Sequence, residues 1–455
     1  MITEEQLKAI DNLKPGEKFS FEVSAEEMLM LAKRAHQAGQ KEAAQDAYQK
    51  LLKFDPDNVE VQHFLGLLLC QTKGRKRGLE LIEASLRSKD AESGWWSNYG
   101  NILRSMKRRN EAIDAYREAL RIDPNSADAY NNLGIVQKDK HNFEIAIECF
   151  KKAIDLQPDM AAAWANMGNL LVTMGRIAEG AHALMTAATH AKLTDPQGRR
   201  MLSLAYASLG QYDKAREVLL EWLAEEPDNP MIKHHLAAVS GETPARASDA
   251  YVERLFNAFA DTFDERLAYL KYVAPALVIE ETGKHLGEAR AAARIADAGC
   301  GTGLCGPGLR PYASRLIGID LSEKMVDLAM NRGCYDMLLV NELTAFFEGT
   351  DERFDAIVSA DTLCYFGDIA AAVAAFRRCL RPGGGLIFTV ESHTEADGAP
   401  FRLNHHGRYS HSEDYVRDVL GAAGYRIDSL RDEVLRMETG KEVRGYVVRA
   451  ALTAA

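Results

Sequence analysis

Residues 296–308 read ADAGCGTGLCGPG, and two glycine spacings overlap within them. Gly301, Gly303 and Gly306 form G-x-G-x-x-G, the fingerprint of a dinucleotide loop, whereas Asp297, Gly299, Gly301 and Gly303 form D-x-G-x-G-x-G. Either pattern belongs between a strand and a helix, where a backbone bare of side chains lets a nucleotide approach. The flanking sequence has to separate the two.

Outward from that loop, short apolar runs alternate with helix-length segments. ARIADAG (293–299), RLIGID (315–320), DMLLVN (336–341), FDAIVSAD (354–361) and GGLIFTVE (384–391) read as strands of a doubly wound parallel sheet. GYRIDSLRDEVLRME and VRGYVVRAAL, joined by TGKE, read as a closing antiparallel pair. Asp297 stands inside the end of the first strand. A dinucleotide loop has no need of a carboxylate there, but the amino group of a methionine moiety does. Asp320 ends the second strand, placed to accept hydrogen bonds from ribose hydroxyls, which suits either cofactor. The turn LRPGGGLIF and the closing strand pair are typical of methyltransferases, and with Asp297 they favour S-adenosylmethionine.

The first half of the chain has another period. Pro56, Pro124, Pro158 and Pro227 fall near multiples of 34 residues. Trp96, Tyr130 and Trp164 each precede a large apolar residue by three positions (Tyr99, Leu133, Met167), followed by Gly100, Gly134 and Gly168. Small residues (Ala112, Ala146, Gly180), large ones (Tyr116, Phe150, Leu184) and alanines (Ala119, Ala153, Ala187) then recur in step. This pattern resembles the tetratricopeptide repeat. It implies an all-α superhelix of about six repeats over 25–240, with NPMIKHHLAAVSG as a capping helix. Asn98, Asn132 and Asn166 share one place on helix A of successive repeats, and Asn101 and Asn169 recur one turn on. An amide offers a donor and an acceptor, so such a ladder can pair with the backbone of an extended peptide. It looks like the asparagine ladder of protein O-linked N-acetylglucosamine transferases. The basic runs KGRKR (73–77) and KRR (107–109) fall in adjacent turns and suit an acidic partner segment or plain solvation.

Residues 250–450 together resemble the class I S-adenosylmethionine-dependent methyltransferases, in particular a bacterial group that carries tetratricopeptide repeats. The resemblance implies that LFNAFADTFDERLAYLKYVAP is the helix that folds over the cofactor, with Phe259 and Phe263 covering it. It also implies cofactor contacts from Asp297, Gly299, Gly301, Gly303, Asp320, Leu321 and Met325. Asn341 and Glu342 lie where the family contacts adenine, although the usual Ala-Asp or Gly-Asp is absent.

Acceptor-facing residues belong after the fourth and fifth strands. SADTLCYFGD offers Asp361 and Tyr365, and the polar insertion ESHTEADGAPFRLNHHGRYSHSEDYV offers His393, His405, His406, Arg408, Tyr409 and His411. Asp361 and Tyr365, with His406, Tyr409 and His411 as base or orienting groups, are the catalytic candidates. H-H-x-x-x-x-H lacks a recognised ligand spacing and no cysteine stands near it, so no metal is expected. Motifs of amide, pyrimidine C5 and arginine methyltransferases are missing.

Composition bounds the rest. A net charge of −11 argues against bulk nucleic-acid binding, and seven cysteines without C-x-x-C pairs suit a reducing cytoplasm. No stretch reads as a membrane span, and the polar N-terminus does not read as an export signal. The sequence predicts an N-terminal segment (1–24), a repeat array (25–240) and a methyltransferase domain (241–455), with a peptide or protein held in the repeats as substrate or substrate carrier. Two alternatives stay open: a small-molecule O- or N-methyltransferase whose repeats only assemble a complex, and a non-catalytic scaffold that binds the cofactor.

Overall fold

The computed structural model describes residues 24–72, 74–191, 196–393, 398–438 and 440–453. Residues 1–23, Lys73 of the first basic run and Thr439 of TGKE lie outside the described residues. The chain divides into two compact units, 1–170 with 186–192 and 171–185 with 193–455.

In the first unit, helices Ala25–Gln37, Val59–Cys70, Ser93–Ser105 and Ala127–Asp139 begin at a 34-residue period, and each is followed by an antiparallel partner such as Arg109–Ile122 or Phe143–Leu156. Ser24 caps the first in a capping box with Glu27, and Asn58 and Ser126 cap the second and fourth. Close approach of the two helices in a pair depends on glycine. A Cβ on Gly100 would lie 2.7 Å from the Tyr116 ring and one on Gly134 2.6 Å from the Phe150 ring. Ala112, Tyr116 and Ala119, and likewise Ala146, Phe150 and Ala153, are completely buried between helices. Lys107 and His141 occupy corresponding turns, both with φ near +60°.

The second unit starts with further helices of the same kind, Pro196–Ser208, Tyr212–Glu225 and Pro230–Ser240. Composition reads GETPARASD as a linker, but the backbone around it is tied down. Ala247 donates to the carbonyl of Tyr365 at 2.9 Å, and the N–H groups of Gly367 and Asp368 both donate to Ala245. His234 stacks on Tyr251 with ring centroids 3.8 Å apart and bonds the carbonyl of Gly407 at 2.8 Å. The last repeat helix is therefore part of the α/β core, which also takes in Ala237 and Ala238.

Helices Asp249–Phe259, Phe263–Tyr269 and Ala274–Leu286 lead into the sheet. Its strands are β1 (Ala293–Ala298), β2 (Ala313–Asp320), β3 (Met337–Val340), β4 (Phe354–Ser359), β5 (Leu380–Ser392), β6 (Phe401–Leu403), β7 (Tyr409–His411), β8 (Tyr425–Glu438) and β9 (Lys441–Leu452). The parallel part runs β3-β2-β1-β4-β5; β9 pairs antiparallel with β5, and β8 with β9. Strand residues alternate between two apolar layers. Ile317, Ile357 and Phe388 pack into one, Leu316, Val358 and Ile387 into the other, as a sheet covered on both faces requires. The chain reverses between β1 and β4, so the loop after β1 opens at a topological switch point.

Candidate active site

A cavity of about 270 Å³ opens at that switch point. Gly299 and Gly301 after β1, Asp320 and Leu321 at the end of β2, Glu342 after β3, and Asp361 and Tyr365 after β4 all line it. Gly299 has φ +80°, and a Cβ there would strike Thr362 at 2.2 Å. Gly301 has φ +53°, and a Cβ there would meet nothing within 4 Å, so this stretch of backbone is bare toward open space. Asp320 accepts from the N–H of Gly301 at 2.8 Å and of Ser322 at 2.9 Å. Burial raises its carboxyl, and these backbone donors oppose the rise.

Phe256, Phe259 and Phe263 form an aromatic wall of the cavity on the segment preceding the sheet. That segment is latched to the nucleotide-loop side. Asp264 accepts from Thr302 at 2.5 Å and pairs with Arg332 at 2.6 Å, while Ser322 donates to Asn257 at 2.7 Å. The helices before the sheet are thus held against the loop after β1 and the turn after β2.

Below Asp361 lies a buried ion-pair network. Arg436 on β8 pairs with Asp361 at 2.6 Å, with Glu391 and with Glu438, and Arg408 pairs with Glu391 at 2.5 Å and with Glu438. Burial alone would raise both glutamates, but Arg408 and Arg436 hold Glu438 down to about 2 and Glu391 well below the ordinary range. Asp361 behaves differently: burial raises it despite Arg436. Its second oxygen, Oδ1, has no partner among the described residues, and its backbone sits at φ +56°, a conformation rare outside glycine. Asp361, Cys364 and Glu391 lie close enough together to suggest a metal cluster, but Arg436 already bridges the two carboxylates.

The other residues singled out from sequence separate into two groups. Phe259, Phe263, Leu321, Glu342, Tyr365 and His406 line the cavity. Burial, reinforced by Arg408, pushes His406 down to about 4, so it is neutral at pH 7 and a weak base. Asp297, Gly303, Met325, Asn341, Tyr409 and His411 are not on the cavity wall. Asp297 lies buried behind the loop, accepts from the Tyr335 hydroxyl at 2.7 Å, and is raised by burial to about 7. Met325 is fully buried, and Asn341 is exposed, its N–H donating to the Asp320 carbonyl. The polar insertion does not bring all of its candidate base or orienting residues to the pocket. Residues 401–411 fold into the β6–β7 hairpin on the end of β5, and this pairing turns Tyr409 and His411 into the core. His411 Nε2 faces the carbonyls of Phe366 and Gly367 at 2.9 and 3.0 Å, and burial lowers it to about 4.

Several cavity residues have no local sequence signal: Arg200, Leu204 and His235 from the repeat helices, Arg266 beside Phe263, and Arg436 with Glu438 on β8. A charged residue within an otherwise strand-like run, as at Arg436, is the one available hint.

In the first unit, the asparagines make contacts between and within repeats. Asn98 pairs with His63 at 3.4 Å, Asn166 donates to Asn131 at 2.9 Å, and Asn101 accepts from Tyr116 at 2.8 Å. Asn98, Asn132 and Asn166 are each half-buried, and so is Asn169.

Comparison with known proteins agrees with this architecture. The family described as "Methyltransferase domain" matches residues 296–388, and tetratricopeptide-repeat families match 28–58, 100–141, 127–160 and 165–230. Among curated relatives, Nodulation protein S of Rhizobium tropici is 35% identical over 21% of this chain and 42% of its own length. Ubiquinone biosynthesis O-methyltransferase of Alkalilimnicola ehrlichii is 33% identical over 21% of this chain and 41% of its own. The chain spans 41% and 55% of the ubiquinone enzyme and of the Yersinia pestis malonyl-[acyl-carrier protein] O-methyltransferase, respectively. A solved structure of the Burkholderia thailandensis 1,6-didemethyltoxoflavin-N1-methyltransferase is 23% identical, with TM-score 0.36 over 47% of this chain and 93% of that one.

Proposed function

We propose that this chain, which joins tetratricopeptide repeats to a class I S-adenosylmethionine-dependent methyltransferase domain, methylates an acceptor held in the cavity after β4 while its repeats hold a polypeptide. One observation carries the reading: the bare backbone at Gly301, with Gly299 and Asp320 beside it, lines the same cavity as Asp361.

The residues present fit the cofactor. Gly301 would let it approach, with Gly299 beside it on the cavity wall, Asp320 has a carboxylate for the ribose hydroxyls, and Phe259 and Phe263 would cover it. When bound, S-adenosylmethionine supplies an electrophilic methyl group. The chain's task is to align the acceptor, exclude water and take up a proton where the acceptor loses one. Asp361 is the group suited to that proton, because Oδ2 is anchored by Arg436 and Oδ1 is free to accept. Burial places its carboxyl above the ordinary range, which brings it closer to a working base. Tyr365 is raised far above its ordinary value by burial and serves as a neutral wall or hydrogen-bond donor. His406, neutral and 3.7 Å from Glu391, serves as a polar part of the cavity wall.

The repeats are read as the holder of a peptide or protein, either the substrate or its carrier, in the cytoplasm. Docking one part of a polypeptide raises the local concentration of its acceptor group to ~mM for a short tether. Arg200, Leu204 and His235 favour a role beyond assembly, because these repeat-helix residues form part of the cavity wall. The test is to incubate the full-length protein with an isotopically labelled methyl donor and polypeptides captured from cell extract. Replacing Asn98, Asn132 and Asn166 together by Ala is expected to abolish label on a captured polypeptide while leaving cofactor affinity intact. Label confined to small metabolites and indifferent to those substitutions would overturn the peptide role.

A further inference from the structure

The arginines lining the cavity are not evenly paired. Arg246 is neutralised by Asp249 at 3.0 Å and Glu342 at 2.9 Å. Arg408 and Arg436 share Asp361, Glu391 and Glu438. Arg200 and Arg266 are left. Neither pairs with a carboxylate among the described residues; instead both guanidinium groups approach the ring of Phe259, with Cζ at 6.0 Å and 4.5 Å from its centroid. The nearby imidazoles offer no countercharge. Burial, then the charge of Arg200, keeps His235 down to about 3, and His405 is lowered by burial. Burial and mutual repulsion disfavour the charged form of Arg200, and burial does the same for Arg266. Two cations held together at an apolar, aromatic wall cost free energy that an arriving anion would recover.

We propose that Arg200 and Arg266 form an oxyanion site that holds a carboxylate or phosphate group of the methyl acceptor, with the acceptor's apolar body against Phe259. Assigning the anion to the acceptor rests on the methyltransferase reading; the site itself rests on the arginine pair. S-adenosylmethionine carries a net positive charge, so two guanidinium groups without a carboxylate partner in its own cavity suit another, anionic molecule. The pair also gives the repeat array a chemical part in the site. Arg200 comes from a repeat helix and Arg266 from the helix covering the cavity, so an acceptor bound between them would touch both. Guanidinium pairs suit oxyanions because their planar donors match two oxygens at once.

The experiment uses the full-length chain saturated with S-adenosylhomocysteine and the fluorescent probe 8-anilinonaphthalene-1-sulfonate, an aromatic body with one anionic group. Arg200→Gln and Arg266→Gln are each expected to weaken sulfonate-probe binding about tenfold. The neutral analogue N-phenyl-1-naphthylamine should bind all three proteins alike. Phenyl phosphate displacing the probe better than phenylacetate would identify the anion as phosphate, and the reverse as carboxylate. Equal loss of the neutral probe would reveal collapse of the wall and overturn the proposal, as would sulfonate binding unchanged in both variants or failure of both small anions to displace it. A parallel fall in S-adenosylhomocysteine affinity would assign the pair to the cofactor's carboxylate and overturn the acceptor role. No S-adenosylhomocysteine binding by the unaltered protein would instead refute the methyltransferase reading, leaving the arginine dependence of the probe to be judged alone.

Discussion

Arg436→Met is the sharpest perturbation of the buried network. Its guanidinium pairs with Asp361 at 2.6 Å, with Glu391 and with Glu438 at 3.4 Å, and its side chain is only 4% exposed. The variant keeps much of the side-chain volume but leaves Arg408 as the one cation for three carboxylates. Removing one partner of such a buried network costs about 3–5 kcal/mol, mostly from the charge left behind. For a unit of this size that lowers the melting temperature by roughly 10 °C. Scanning calorimetry of the full-length protein at pH 7 and pH 5 reads both the size and its origin. In the unaltered protein Glu438 is held down to about 2, so the stability it contributes is complete above the ordinary carboxylate range and is lost only as pH falls from about 4.5 toward 2. Between pH 7 and 5 that protein should change little through these groups. In the variant the carboxyls shift upward, bind protons on mild acidification and relieve their own penalty. The gap in melting temperature should therefore narrow at pH 5. A gap that stays constant, or widens, would refute the electrostatic account and leave lost packing as the cause.

Other outcomes are accessible by simple substitutions. His141→Gly is expected to raise stability by about 0.5–1 kcal/mol in thermal melts, because φ is +60° there; a loss would mean that the imidazole's contacts outweigh the backbone strain. Gly134→Ala should destabilise the first unit by about 1–3 kcal/mol in denaturant titrations, since its Cβ would lie 2.6 Å from the Phe150 ring. Asp264→Ala removes the bonds to Thr302 and Arg332 and is expected to weaken S-adenosylhomocysteine binding severalfold by calorimetry; unchanged affinity would separate the latch from the cofactor site.

The parts of this molecule legible in sequence are those whose physics is local. The 34-residue recurrence of Gly100 and Gly134 marks helix pairs because a small residue must oppose Tyr116 or Phe150 at each crossing. Asp320 and Gly301 could be placed because strand end and loop are adjacent in the chain. Asp361 was legible for the same reason, through its position just after β4. The His-rich insertion has a polar composition, whereas the β6–β7 pairing buries all three residues of β7 and takes Tyr409 and His411 out of reach. Asp297 could be located on its strand, but its direction toward Tyr335 depends on a residue 38 positions away. Arg200, Arg266 and Arg436 escaped altogether. They meet at one cavity only after three separate segments pack, and no periodicity or motif announces long-range convergence of that sort.

Titration calorimetry of the full-length protein with S-adenosylhomocysteine, beside NAD and beside the Asp320→Ala variant, decides which cofactor the loop after β1 holds. One saturable site for S-adenosylhomocysteine, no comparable binding of NAD, and an affinity at least tenfold weaker once the Asp320 carboxylate is gone are the expected results. Binding of NAD in preference, or S-adenosylhomocysteine affinity indifferent to Asp320, would contradict the S-adenosylmethionine assignment.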